Sequence, residues 1–171
     1  MMKSKKSTLT PNKILAIDPG FDRVGLALIK QDDKVPKLLF SQCLRTDIKS
    51  ERSERLLKIG KNIRSIIKKW QPKTLAIETL FFNTNTTSAM GVAEARGIII
   101  YEAKLAGLEI FEYSPQTIKI AVTGYGKADK IQIETMVRKL VTLSKDASKK
   151  LDDEIDAIAL GITHLATKKS I

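Results

Sequence analysis

A chain of 171 residues, 43% of them hydrophobic, suits one domain that buries a core without disulfides or a structural metal. Its only cysteine, Cys43, and only histidine, His164, exclude an intrachain disulfide and a thiolate metal cluster and leave a histidine-based zinc or triad site without parts, so a catalytic metal must sit on oxygen ligands, as Mg²⁺ or Mn²⁺ does. The net charge of +11 favours an anionic partner, nucleic acid or an anionic surface, although solubility alone accounts for it equally well until a site is found.

Residues 1–12 predict a disordered basic tail with Lys3, Lys5 and Lys6, and residues 13–171 a single domain. The opening MMKSKKSTLTPNK lacks the apolar core of a secretion signal, and no run approaches the roughly 20 apolar residues that span a bilayer, so a cytoplasmic location and no membrane partner are expected. The run 14–18 predicts a buried strand ending in an acid. Runs 24–29 and 38–44 predict two more, with turn residues at 20–23 and 31–36 between them, so the three form an antiparallel meander. Residues 51–70 change to helical spacing, with Leu56, Ile59, Ile63, Ile66, Ile67 and Trp70 on one face and basic residues on the other. A strand at 74–79, a helix at 86–106 and a strand at 108–113 follow. Ser114 and Pro115 read as the cap and first turn of a further helix. Residues 129–143 are amphipathic, and a last helix runs from about 153 to 166. This order predicts an α/β fold with a mixed sheet, a meander joined to parallel crossovers.

Asp18 and Glu78 each stand near the C-terminal end of a predicted strand, where open α/β sheets bind ligands. Asp153 and Asp156 lie three apart at the start of the last helix and share a face, opposite Ile155, Ile158, Ala159 and Ile162. Spacing alone leaves Asp152/Asp156 as an equal pair, and acids at helix starts are commonly caps or dipole partners. Carboxylates converging from separate elements suit phosphodiester hydrolysis, in which two cations roughly 3.5–4 Å apart stabilise the attacking and leaving oxygens. Without cations, two carboxylates about 4 Å apart repel by about 4 kcal/mol at an effective dielectric of 20.

The segments ILAIDPG (14–20), LAIETLFFNTNTTSAMGVAEARG (75–97), GYGKADK (124–130) and DDEIDAIALGITH (152–164), with Phe111-Glu112-Tyr113 and Thr117-Ile118-Lys119 between, resemble the RuvC family of Holliday-junction endonucleases over about residues 13–165. The resemblance implies an RNase H-like mixed five-stranded sheet with helices on both faces, a symmetric dimer, and Mg²⁺-dependent nicking of four-way DNA junctions. Matched motif by motif, it implies Asp18, Glu78, Asp153 and Asp156 as catalytic acids and metal ligands, two ions per site, with Mn²⁺ as a substitute. It implies Phe81 as the DNA-facing aromatic and Lys119 and Lys130 beside the scissile phosphate. A branch-migration motor is an implied partner. Phe21 stands where the family usually has Ser or Thr, and Asp22-Arg23-Val24-Gly25 is similar instead to the related YqgF group.

Phe81 and Phe82 follow the second acid; as adjacent residues they face opposite ways, so one is expected to stack on a base and the other to pack inward. Gly124 and Gly126 bracket Tyr125 ahead of Lys127 and Lys130, a flexible turn suited to phosphate contact or simply to helix initiation. Arg96 is expected either on phosphate or, preferably, in an ion pair with a nearby acid such as Glu94. His164 is expected to oppose the dipole of the last helix. The helix at 86–106 carries Ala89, Met90, Ala93, Gly97, Ile98, Tyr101 and Leu105, a stripe for a dimer contact or for packing on the sheet. The expected activity is paired nicking of four-way junctions, leaving 5′-phosphate and 3′-hydroxyl ends. The alternatives are an RNA-processing nuclease of the same fold and a junction binder with inactive acids.

Overall fold

The computed structural model describes residues 12–32, 35–80, 86–142 and 152–168. Nearly all of the expected basic tail, and Phe81 and Phe82, lie outside the described residues. β1 (Lys13–Asp18), β2 (Arg23–Lys30) and β3 (Lys37–Arg45) form the antiparallel meander. Helix α1 (Arg52–Trp70) leads to β4 (Thr74–Glu78), and α2 (Thr86–Leu105) leads to β5 (Glu109–Tyr113). Then α3 (Pro115–Thr123), α4 (Lys130–Leu140) and α5 (Asp152–Lys168) follow. The five-stranded sheet has the order β3-β2-β1-β4-β5, with β4 parallel to β1 and β5 parallel to β4.

Local chemistry sets the boundaries. Helix α1 stops where Gln71 turns left-handed (φ 49°) and donates its N–H to Ile67, just ahead of Pro72. Ser114 accepts a hydrogen bond from the Thr117 N–H, with Pro115 in the first turn of α3. Asp129 and Gln132 form a reciprocal capping box that fixes Lys130 as the first residue of α4.

Strand alternation sorts the core into two layers. Ile14, Ala16, Ala27, Ile29 and Ala76 pack under α3, α4 and α5. Leu15, Ile17, Leu26, Leu28, Leu75 and Ile77 pack under α1 and α2. Helices therefore cover both faces, as the resemblance implies. Asp18 follows the parity of Ile14 and Ala16, and Glu78 that of Ala76, so both acids leave their strands on the α5 side.

Candidate active site

β1 and β4 are parallel neighbours in the register Ile17 to Ile77, which brings Asp18 and Glu78 out side by side at the C-terminal edge of the sheet. Helix α5 begins over the same edge. Gly25 permits that approach: it pairs with Asp18 across β1 and β2, and a Cβ on it would stand 2.0 Å from the Asp153 carbonyl oxygen and 3.2 Å from the Asp18 Cβ. Steric need thus accounts for the glycine of the Asp22–Gly25 segment.

The acids influence one another strongly. Burial, then the carboxylates of Glu78, Asp156 and Asp153, push Asp18 up to about 8, against a smaller opposing pull from Lys130. Burial and Asp156 push Glu78 up to about 7. Asp156 is also raised, chiefly by burial, with Lys130 opposing and Asp152 and Asp153 adding. The two candidates from the start of α5 are placed differently. Asp153 acts on Asp18, whereas the Asp152 side chain is 79% exposed and faces Lys130 at 3.7 Å. Asp153 Oδ2 also accepts from the Cys43 thiol (3.4 Å) and lies 3.8 Å from Arg23 Nη1. Among the described residues, no three His, Cys, Asp or Glu side chains are closed to the geometry of a bound ion. The four acids form an open set of oxygen donors, and that donor chemistry fits hard divalent cations.

A cleft of about 340 Å³ adjoins the acids, with Glu78 and Asp156 on one wall and Lys119 of α3 and Lys130 of α4 on another. Lys127 is exposed in the turn between those helices. Arg96 pairs with Glu112 on β5 and donates from Nε to the Glu78 carbonyl (3.2 Å). Its expected partner Glu94 pairs with Arg52 instead, at 2.6 Å, because residues two apart on a helix face different ways. His164 is fully buried, and its Nδ1 meets the Tyr113 hydroxyl at 2.8 Å. Burial, aided by Lys168, lowers its pKa to about 4, so it is a neutral core group and not a cation opposing the helix dipole. Phe21 points away from the acids: its ring rests on Gly91 of α2, with the Arg55 guanidinium 3.8 Å from the ring centroid. Sequence reasoning missed Arg23, Cys43 and Gly25 as neighbours of the acids. The shared parity of Arg23 and Gly25 with Ala27 was the available signal.

A mixed sheet in this order, with acids at the ends of its first and fourth strands and more on the closing helix, places the protein in the RNase H-like class. Residues 14–164 match the family described as Crossover junction endodeoxyribonuclease RuvC, and the chain belongs to that family. It is 43% identical over 151 residues to the Crossover junction endodeoxyribonuclease RuvC of Desulfitobacterium hafniense (strain DSM 10664 / DCB-2), covering 88% of this chain and 90% of the relative. The structure of T. thermophilus RuvC in complex with Holliday junction substrate aligns with a TM-score of 0.86 at 26% identity, covering 93% of this chain and 96% of that one. The yeast mitochondrial Holliday junction resolvase Ydc2 shares the fold at 13% identity, with a TM-score of 0.70 over 95% of this chain and 82% of that one.

Proposed function

We propose that this protein resolves four-way DNA junctions as a divalent-metal-dependent endonuclease, making paired symmetric nicks that leave 5′-phosphate and 3′-hydroxyl ends. The supporting observation is the convergence of Asp18, Glu78, Asp153 and Asp156 beside a cleft lined by Lys119 and Lys130, in a chain of the RuvC family. Family membership favours this reading over RNA processing.

Asp18, Glu78, Asp153 and Asp156 would hold Mg²⁺, as two ions, with Mn²⁺ as a substitute. Such ions, when bound, activate water and stabilise the leaving 3′-oxygen. The chain's own groups do the positioning. Lys119 and Lys130 hold the scissile phosphate in the cleft, and Lys127 extends the basic track. Phe81 carries its stacking role by resemblance. Arg96, tied to Glu112 and the Glu78 carbonyl, serves the site by bracing the second acid. Two copies meet through α2, so that two sites address the two-fold symmetry of a junction. A branch-migration motor would present that junction, and the cytoplasm is the expected compartment.

The test is cleavage of a synthetic four-way junction by wild type and Asp18→Asn, with Mg²⁺ and with EDTA. Cleavage is expected only for wild type with metal. Cleavage surviving EDTA would overturn the reading. Tight binding without cleavage in Mg²⁺, or with Mn²⁺ in its place, would favour an inactive binder, and preferential cutting of structured RNA would favour the RNA nuclease.

A further inference from the structure

The first turn of α5 lies against β2 and β3, and each of its three acids meets a donor of the chain. Asp152 faces Lys130, Glu154 accepts from Ser41, and Asp153 Oδ2 is shared by Cys43 at 3.4 Å and Arg23 at 3.8 Å. Cys43 is the cross-strand partner of Gly25, the glycine that lets Asp153 come close. Arg23 stands two residues before Gly25 and shares its face.

We infer that Arg23 and Cys43 are positioning residues for Asp153, holding its carboxylate toward β2 and β3 so that it leaves these donors when the site takes up a divalent cation. The inference rests on the reading of the four acids as cation ligands. A thiol is a poor ligand for a hard cation, so Cys43 competes for Asp153 and does not join the ligand set. Breaking the contact therefore belongs to the free energy of cation uptake, and removing the donor tightens uptake.

Mn²⁺ binding to the DNA-free protein, read from the EPR signal of free Mn²⁺, tests this with wild type, Cys43→Ala, Cys43→Ser and Arg23→Gln. Cys43→Ala is expected to tighten binding about two- to fivefold, the scale of one weak hydrogen bond. Cys43→Ser keeps a donor, and a hydroxyl is a stronger one than a thiol, so this variant is expected to bind Mn²⁺ no more tightly than wild type. Cys43→Val, which also lacks a donor, carries the test if the alanine variant fails to fold. Arg23→Gln removes a positive charge as well as a contact, so the uncharged Cys43 variants decide. Unchanged or weaker binding in the variant that lacks a donor, or tightening by Cys43→Ser as large as by Cys43→Ala, would overturn the inference while wild type still binds Mn²⁺ and cleaves junctions. A wild type that neither binds Mn²⁺ nor cleaves would overturn the underlying reading too.

Discussion

Asp18 is withdrawn from water beneath three other carboxylates, and two consequences follow from its pKa of about 8 and that of Glu78 near 7. The first concerns stability. Below about pH 4 these groups are protonated folded or unfolded and contribute nothing. Between about pH 4 and 8 the unfolded chain ionises while the native site keeps its protons, so the metal-free protein loses stability as pH rises. Asp18→Asn removes that titration and is expected to raise stability at pH 8 by roughly 1–3 kcal/mol, with no gain near pH 4. Urea unfolding in EDTA at the two pH values checks this, and a variant less stable than wild type at pH 8 would contradict it. The second consequence concerns metal. Protons and cations compete for the same oxygens, so the metal concentration needed for half-maximal cleavage is expected to fall as pH rises from 6 to 8.5, most steeply at the acid end and levelling off above about pH 8. A midpoint independent of pH would show that the acids ionise freely.

The elements explain why those residues meet, and why part of this is legible in the sequence and part is not. The apolar runs at 14–18 and 74–79 suffice to put Asp18 and Glu78 at strand ends, and the i, i+3 spacing puts Asp153 and Asp156 on one helix face while leaving Asp152 an equal candidate; the common side of the sheet comes from the register of β1 and β4. The seating of α5 could not be read in this way. It depends on β2 and β3 lying beneath a turn that is 110 residues away from Cys43 in the chain, a contact that local patterns do not encode. For the same reason Arg96 finds Glu112 on the neighbouring strand, and Phe21 finds Gly91. Gly25 concentrates this dependence in one position. Gly25→Ala places a methyl group 2.0 Å from the backbone oxygen of Asp153, where only movement of the α5 start can relieve the clash. The expected cost is about 1–3 kcal/mol in urea unfolding, the scale of overpacking in a core. Cleavage is expected to fall much further than stability, because the displaced turn carries Asp153 and Asp156. An alanine variant with wild-type cleavage would mean that α5 has freedom the packing denies.

At the scale of the whole molecule, the proposed paired nicking needs two sites on one junction, and charge and symmetry bear on how they would reach it. With +11 on the chain, junction affinity should fall steeply with salt, and each lysine that neutralises a phosphate contributes about 0.9 to the logarithmic slope. The proposed two-fold contact would rest on α2. Met90, Tyr101 and Leu105 are each more than 60% exposed on a helix whose opposite side is buried through Ala95, Ile99 and Ala103. Gly97 lies exposed between them, with space for a neighbouring backbone to approach. A self-complementary contact through this stripe would bury apolar surface that is otherwise wet and would set two acid clusters on opposite sides of a two-fold axis. Tyr101→Glu places a charge in the middle of that contact without touching the acids. It is expected to shift the protein from dimer to monomer in sedimentation velocity, while circular dichroism and the thermal midpoint stay close to wild type. Cleavage should change in kind as well as rate, because a lone site nicks one strand and leaves the junction unresolved. On a cruciform plasmid, where paired nicks within the lifetime of one complex yield linear DNA, the variant should accumulate nicked circles. A variant that remains dimeric, or that linearises the plasmid as wild type does, would place the contact between copies elsewhere than α2.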